Sequence, residues 1–135
     1  MRVVADPASL LRAFSFPGGP EEEAFRQMIE GRLEAVTSPP LLEQLIQRLS
    51  VGLGWNRTHA EEATLQVART GLVVRPEKQL SVIEADPDDD RVLEAAHEAG
   101  VEAIVAADPH LLALGSWERT RIIGASELVK ELGSA

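Results

Sequence analysis

The chain has 135 residues, 44% of them hydrophobic and 26% charged, enough to bury a real core and too apolar for wholesale disorder. It contains no cysteine, which excludes disulfides, thiolate metal sites and cysteine nucleophiles, and no apolar run approaches the roughly 18 residues of a membrane span. The formal net charge of −9 argues against nucleic-acid binding through a broad basic face, and the whole reads as a cytoplasmic prokaryotic protein.

Residues 2–5 form a short β-branched run that predicts a buried strand, stopped by Asp6-Pro7. Pro7 suits the first turn of a helix, and residues 8–14 supply apolar positions at helical spacing. Residues 16–20 are a Pro/Gly loop. Glu21-Glu22-Glu23 then opens a helix, its negative charge at the end the dipole favours. Residues 33–36 predict a second strand. Thr37 or Ser38 caps the next helix, whose apolar positions are Leu41, Leu42, Leu45, Ile46 and Leu49.

After the glycines at 52 and 54, Thr58 with Glu61 three residues on has the pattern of a capping box, opening a helix that runs to Gly71. Residues 72–74 and 80–83 predict short strands. The acidic loop Asp86-Pro87-Asp88-Asp89-Asp90 runs into a helix ended by Gly100. Residues 103–106 predict a strand followed by Asp108, residues 109–114 a short helix, 121–123 a last strand and 126–132 a last helix, with a loose tail after it. Strand and helix alternate, which predicts an α/β fold: a parallel sheet covered by helices on both faces, as one domain over residues 1–135.

Ligand sites in open α/β sheets lie beyond the carboxyl ends of the strands. Asp6 and Asp108 both follow such ends, and the acidic run from Asp86 to Asp90 opens the helix that leads into the Asp108 strand. Carboxylates gathered from distant parts of a chain repel one another unless a hard cation such as Mg²⁺ or Mn²⁺ holds them together. Such an ion can activate water and neutralise charge on a phosphodiester. Each residue also has a plainer reading: Asp6 and Asp108 are good helix caps, and residues 86–90 suit a solvated helix start.

Four elements taken together resemble the PIN domain, in particular its branch of toxins from toxin–antitoxin pairs. They are the strand ending Arg2-Val3-Val4-Ala5-Asp6, the helix start Ser38-Pro39-Pro40-Leu41-Leu42-Glu43, the turn Asp86-Pro87-Asp88-Asp89, and the stretch from Ala103 through Asp108 to Leu111-Leu112. The resemblance implies a three-layer fold with a central parallel sheet and a Mg²⁺- or Mn²⁺-dependent endoribonuclease. It assigns Asp6, Glu43, Asp89 and Asp108 as catalytic acids, with Asp86 and Asp90 beside Asp89 as further metal ligands. It also implies an RNA substrate, an antitoxin partner and a homodimer. By its distance to Leu49, Gln44 competes with Glu43 for the second acidic place, and by its distance to Asp108, Asp90 competes with Asp89 for the third.

The chain departs from the family pattern in two places. Pro7-Ala8 stands where the family has Thr-Asn, and Ala106 where it has Thr. Losing such supporting groups weakens metal sites, so an inactive PIN-like module that binds RNA or protein is a second reading. An unrelated α/β binding module, whose aspartates are only caps, is a third. The three histidines lack metal-ligand spacing; His97 reads as a surface or packing residue and His110, near Asp108, as a weak candidate for phosphate contact. Arg12, Arg48, Arg57 and Arg91 are candidate RNA contacts. With 4% aromatics there is no stacking platform for bases, and Trp55 and Trp117 are expected to pack loop edges.

Overall fold

A computed structural model of the chain describes residues 1–133; the expected loose tail falls partly on residues 134–135, outside the described residues. Strand β1 (Arg2–Ala5) leads through α1 (Pro7–Ser15) and α2 (Pro20–Ile29) to β2 (Glu34–Thr37), then α3 (Pro39–Gln47) and α4 (Arg57–Thr70) to β3 (Leu72–Val73). After a long connection come α5 (Asp90–Ala99), β4 (Ala103–Val105), α6 (Pro109–Leu114), the hairpin of β5 (Ser116–Trp117) and β6 (Thr120–Ile123), and α7 (Ala125–Gly133).

The strands form one sheet in the order β3-β2-β1-β4-β6-β5. All pairings are parallel except that of β5 with β6. Successive residues alternate between its two faces, as the pleat requires. Val3, Ala5, Ala35, Ala103, Val105 and Ile123 pack on one face against α1, α2, α4 and α7. Val4, Val36, Ile104 and Ile122 pack on the other against Val92, Leu93, Ala95 and Ala96 of α5 and Leu111 of α6. Both faces are therefore apolar, which is why the strands read as continuous hydrophobic runs. The α/β class with a mostly parallel sheet between helix layers holds.

Several local expectations are corrected. Residues 80–83 are not a strand. Their amides are taken by carboxylates on α5: Leu80 N–H donates to Glu94 Oε2 at 2.9 Å, and Val82 and Ile83 N–H both donate to Asp90 Oδ1 at 3.0 Å. The cap of α4 is Asn56, not Thr58; Asn56 Oδ1 accepts from His59 N–H at 2.8 Å. The second strand sits one residue later than its hydrophobic run, at Glu34–Thr37, and Ser116–Trp117 adds a strand beyond those expected. Where α4 meets β3, a Cβ on Gly71 would stand 2.0 Å from the Ala35 carbonyl oxygen, so the backbones approach as only glycine allows.

Candidate metal centre

From β1 the chain builds the sheet outward through β2 to β3; β4 returns to the other side of β1 and the order runs away through β6. The reversal lies between β1 and β4, and ligands in such sheets bind beyond the carboxyl ends there. Asp6 follows β1 directly, and Asp108 lies three residues beyond the end of β4.

Asp6 is 1% exposed and is the N-cap of α1, with Oδ1 accepting from Ser9 N–H at 2.6 Å. Its Oδ2 accepts from the N–H groups of Ala107 and Asp108, both at 3.1 Å. Burial raises its pKa above the ordinary 3.8, against the opposing pull of those hydrogen bonds. The residue thus ties the end of β1 to the chain leaving β4. Through the Asp108 amide it fixes the backbone that carries the next acid.

Ligand atoms of Asp86, Asp89, Asp108 and His110 all lie within 4.8 Å of one another. Asp108 caps α6, its Oδ1 accepting from His110 N–H at 2.8 Å. Asp86 caps the 3₁₀ turn Pro87–Asp89 by accepting from Asp88 N–H at 3.2 Å. That turn swings Asp89 inward, where its side chain is 5% exposed. Asp89 Oδ2 is buried with no hydrogen-bond partner. His110 Nδ1 lies 3.8 Å from that oxygen and 3.4 Å from Asp108 Oδ1.

An orphaned buried carboxylate oxygen is costly, and here the ionised form is opposed further. Burial first, then the adjacent Asp108 side chain, then the charges of Asp108, Asp86 and Asp6 push the Asp89 carboxyl up to about 8. The group therefore holds a proton that a divalent cation would replace. Three carboxylates and an imidazole, with one oxygen unclaimed, fit such an ion.

The other expected acids are placed elsewhere. Asp90 is 3% exposed, and its Oδ1 is engaged by the amides of residues 82 and 83. Glu43 is exposed and 3.8 Å from Arg57. Its neighbour Gln44, turned about 100° around the helix, reaches the other way and donates to the Asp88 carbonyl at 3.3 Å. Of the two, Gln44 is the one beside the acidic turn. Asp6 is not among the four clustered residues, because its oxygens serve backbone amides. Ala106 is buried, and its N–H continues the ladder to Ile123.

His110, expected to be no more than a weak candidate for phosphate contact, joins the acidic cluster. The available signal was its place two residues after a helix-capping Asp, in a first turn that folds back over the cap. Of the candidate cations, Arg12 pairs with Glu21, Arg57 with Glu61 and Arg91 with Glu94. Trp55 stacks on His59 with ring centroids 4.3 Å apart, and His97 pairs with Glu118 at 3.2 Å. Among the described residues no helix is long and apolar enough to cross a membrane.

The PIN domain family profile matches residues 2–110, a span from the first strand through Asp108 and His110. No curated protein matches the chain. PIN domains are of nuclease type and generally bind divalent metals, and the acidic cluster is compatible with that chemistry. With four fifths of its length matched and a mostly parallel sheet between helix layers, the chain belongs to the PIN domain family.

Proposed function

We propose that this chain is a divalent-metal-dependent endoribonuclease. The observation that carries the reading is the buried, unpartnered Oδ2 of Asp89 amid Asp86, Asp108 and His110. Asp89, Asp108 and Asp86 would hold the ion, Mg²⁺ or Mn²⁺, and Asp6 orients Asp108 through its amide. A bound ion would supply Lewis acidity toward a phosphodiester and lower the pKa of water. Hydrolysis forms one bond from a water oxygen to phosphorus and breaks one phosphorus–oxygen ester bond; the water gives up a proton and the leaving oxygen gains one. The ion also reconciles a net charge of −9 with a polyanionic substrate, since it presents positive charge at the point of contact.

The test is incubation of the purified chain with mixed RNA and Mn²⁺, beside an Asp89→Asn/Asp108→Asn double variant. Cleavage confined to the unmodified chain supports the reading. No cleavage, or equal cleavage by both, overturns it. A non-cleaving RNA- or protein-binding module is the second reading, favoured by one observation: the residue beside the acidic turn on α3 is the neutral Gln44. RNA binding without cleavage by the Mn²⁺-loaded chain would establish that alternative.

The finer proposal is a toxin of a toxin–antitoxin pair, acting in the cytoplasm of a prokaryote as a homodimer and restrained by an antitoxin protein. Growth arrest on expression, relieved by a co-expressed partner and absent for the double variant, tests it.

A further inference from the structure

We propose that His110 is a nitrogen ligand of the metal centre, so that the site prefers a divalent transition ion such as Mn²⁺ over Mg²⁺. The proposal rests on the metal-centre reading above and names the ion class that the centre selects.

His110 is held in place by more than its helix. Its own amide donates to Asp108 Oδ1 at 2.8 Å, which fixes the backbone of the first turn of α6. The ring then folds toward the carboxylates, with Nδ1 3.4 Å from Asp108 Oδ1 and 3.8 Å from Asp89 Oδ2. The second of these oxygens is the one that is buried without a hydrogen-bond partner. Ligand atoms around an ion with bonds of roughly 2.0–2.2 Å are spaced by ~3 Å when adjacent and ~4.3 Å when opposite. The two separations from Nδ1 fall in that range, and the four ligand atoms, within 4.8 Å of one another, need to draw in only slightly around an ion. The ring is about half exposed, so Nδ1 can turn to an ion without disturbing the core.

A three-carboxylate site would favour hard ions alone. Imidazole changes the order, because Mg²⁺ dehydrates reluctantly and takes oxygen, whereas affinity for nitrogen-containing sites rises along the transition series from Mn²⁺. An ion pair between an imidazolium and its carboxylate neighbours would use the same residues but select no ion. Metal preference separates the two.

The experiment compares the unmodified chain with His110→Ala and His110→Gln. Mn²⁺ and Mg²⁺ affinities are measured by calorimetry, and the Mn²⁺-loaded proteins are examined by pulsed electron paramagnetic resonance for ¹⁴N coupling. The expected result is a ¹⁴N signal in the unmodified chain that both variants lose. Mn²⁺ affinity should fall by about 10-fold or more, as removal of a ligand or its support does, while Mg²⁺ affinity changes little. Because His110 is exposed, both variants fold, which circular dichroism checks. Mn²⁺ binding without ¹⁴N coupling overturns the role of His110 and leaves the metal centre standing. No Mn²⁺ binding by the unmodified chain overturns the metal centre and this proposal with it.

Discussion

Replacing Asp89 with Asn should change how the metal-free fold responds to pH. In the folded chain the Asp89 carboxyl keeps its proton up to about pH 8, against 3.8 for an ordinary aspartate. Between those values the folded state binds a proton that the unfolded state has released. Its contribution is therefore complete below the lower value and is lost as pH rises toward the upper one. At ~1.4 kcal/mol per pH unit, going from pH 5 to pH 7 costs roughly 3 kcal/mol from this group. For a chain of this length that corresponds to roughly 10 °C in Tm. Asp89→Asn carries no such proton, so its stability should vary far less over the same interval. The assay is urea unfolding in EDTA at half-unit steps from pH 5 to pH 8, followed by the fluorescence of Trp55 and Trp117. Mn²⁺ added to the unmodified chain should stabilise it more at pH 8 than at pH 5, because ion and proton compete for one oxygen. Parallel pH profiles for the two proteins would refute the reasoning.

Asp6→Ala strips the acceptor from the amides of Ser9, Ala107 and Asp108 and should cost roughly 2–4 kcal/mol in denaturant unfolding; a loss under ~0.5 kcal/mol would show the cap to be dispensable. Gly71→Ala forces a methyl group against the Ala35 carbonyl and should cost at least ~3 kcal/mol or leave the protein insoluble. Asp90→Ala should release the connection it holds, and hydrogen exchange at the Val82 and Ile83 amides should speed up by about 10-fold or more; unchanged protection would mean that other contacts hold this stretch. Glu43→Gln, at an exposed position, should leave stability within about 0.5 kcal/mol, and Mn²⁺ titration should show unchanged affinity.

The strands that build the site were legible because each is a short apolar run buried on both faces, as at residues 2–5 and 103–105. Residues 80–83 have the same apolar content. They form no ladder because Asp90 and Glu94 claim their amides, and those partners arise only once α5 has packed. The α4 cap departs from expectation for a related reason: Thr58 and Glu61 stand at capping-box spacing, yet Asn56, two residues earlier, reaches the His59 amide. The β5–β6 hairpin carries no Asn-Gly or Asp-Gly signal; its turn places Glu118 at φ 54, a conformation its residue type does not announce.

The acids at strand ends were visible by position alone. Their division of labour was not, because carboxylates look alike in sequence until the backbone amides that engage them are known. Asp6 and Asp90 serve the fold through such amides, while Asp89 is left with an unclaimed oxygen.

Both flanks of the sheet end in strands of two residues, β3 and β5. An open flank normally offers a row of free amides and carbonyls on which another chain can grow, and two residues are too few to seed such growth. The β5 flank is also reversed relative to its neighbour, so a parallel strand arriving there would meet a changed ladder. The fold can therefore keep a core of apolar parallel strands without inviting fibrillar stacking. Association between copies then falls more naturally to the helical faces, where side-chain shape rather than backbone hydrogen bonding decides the match.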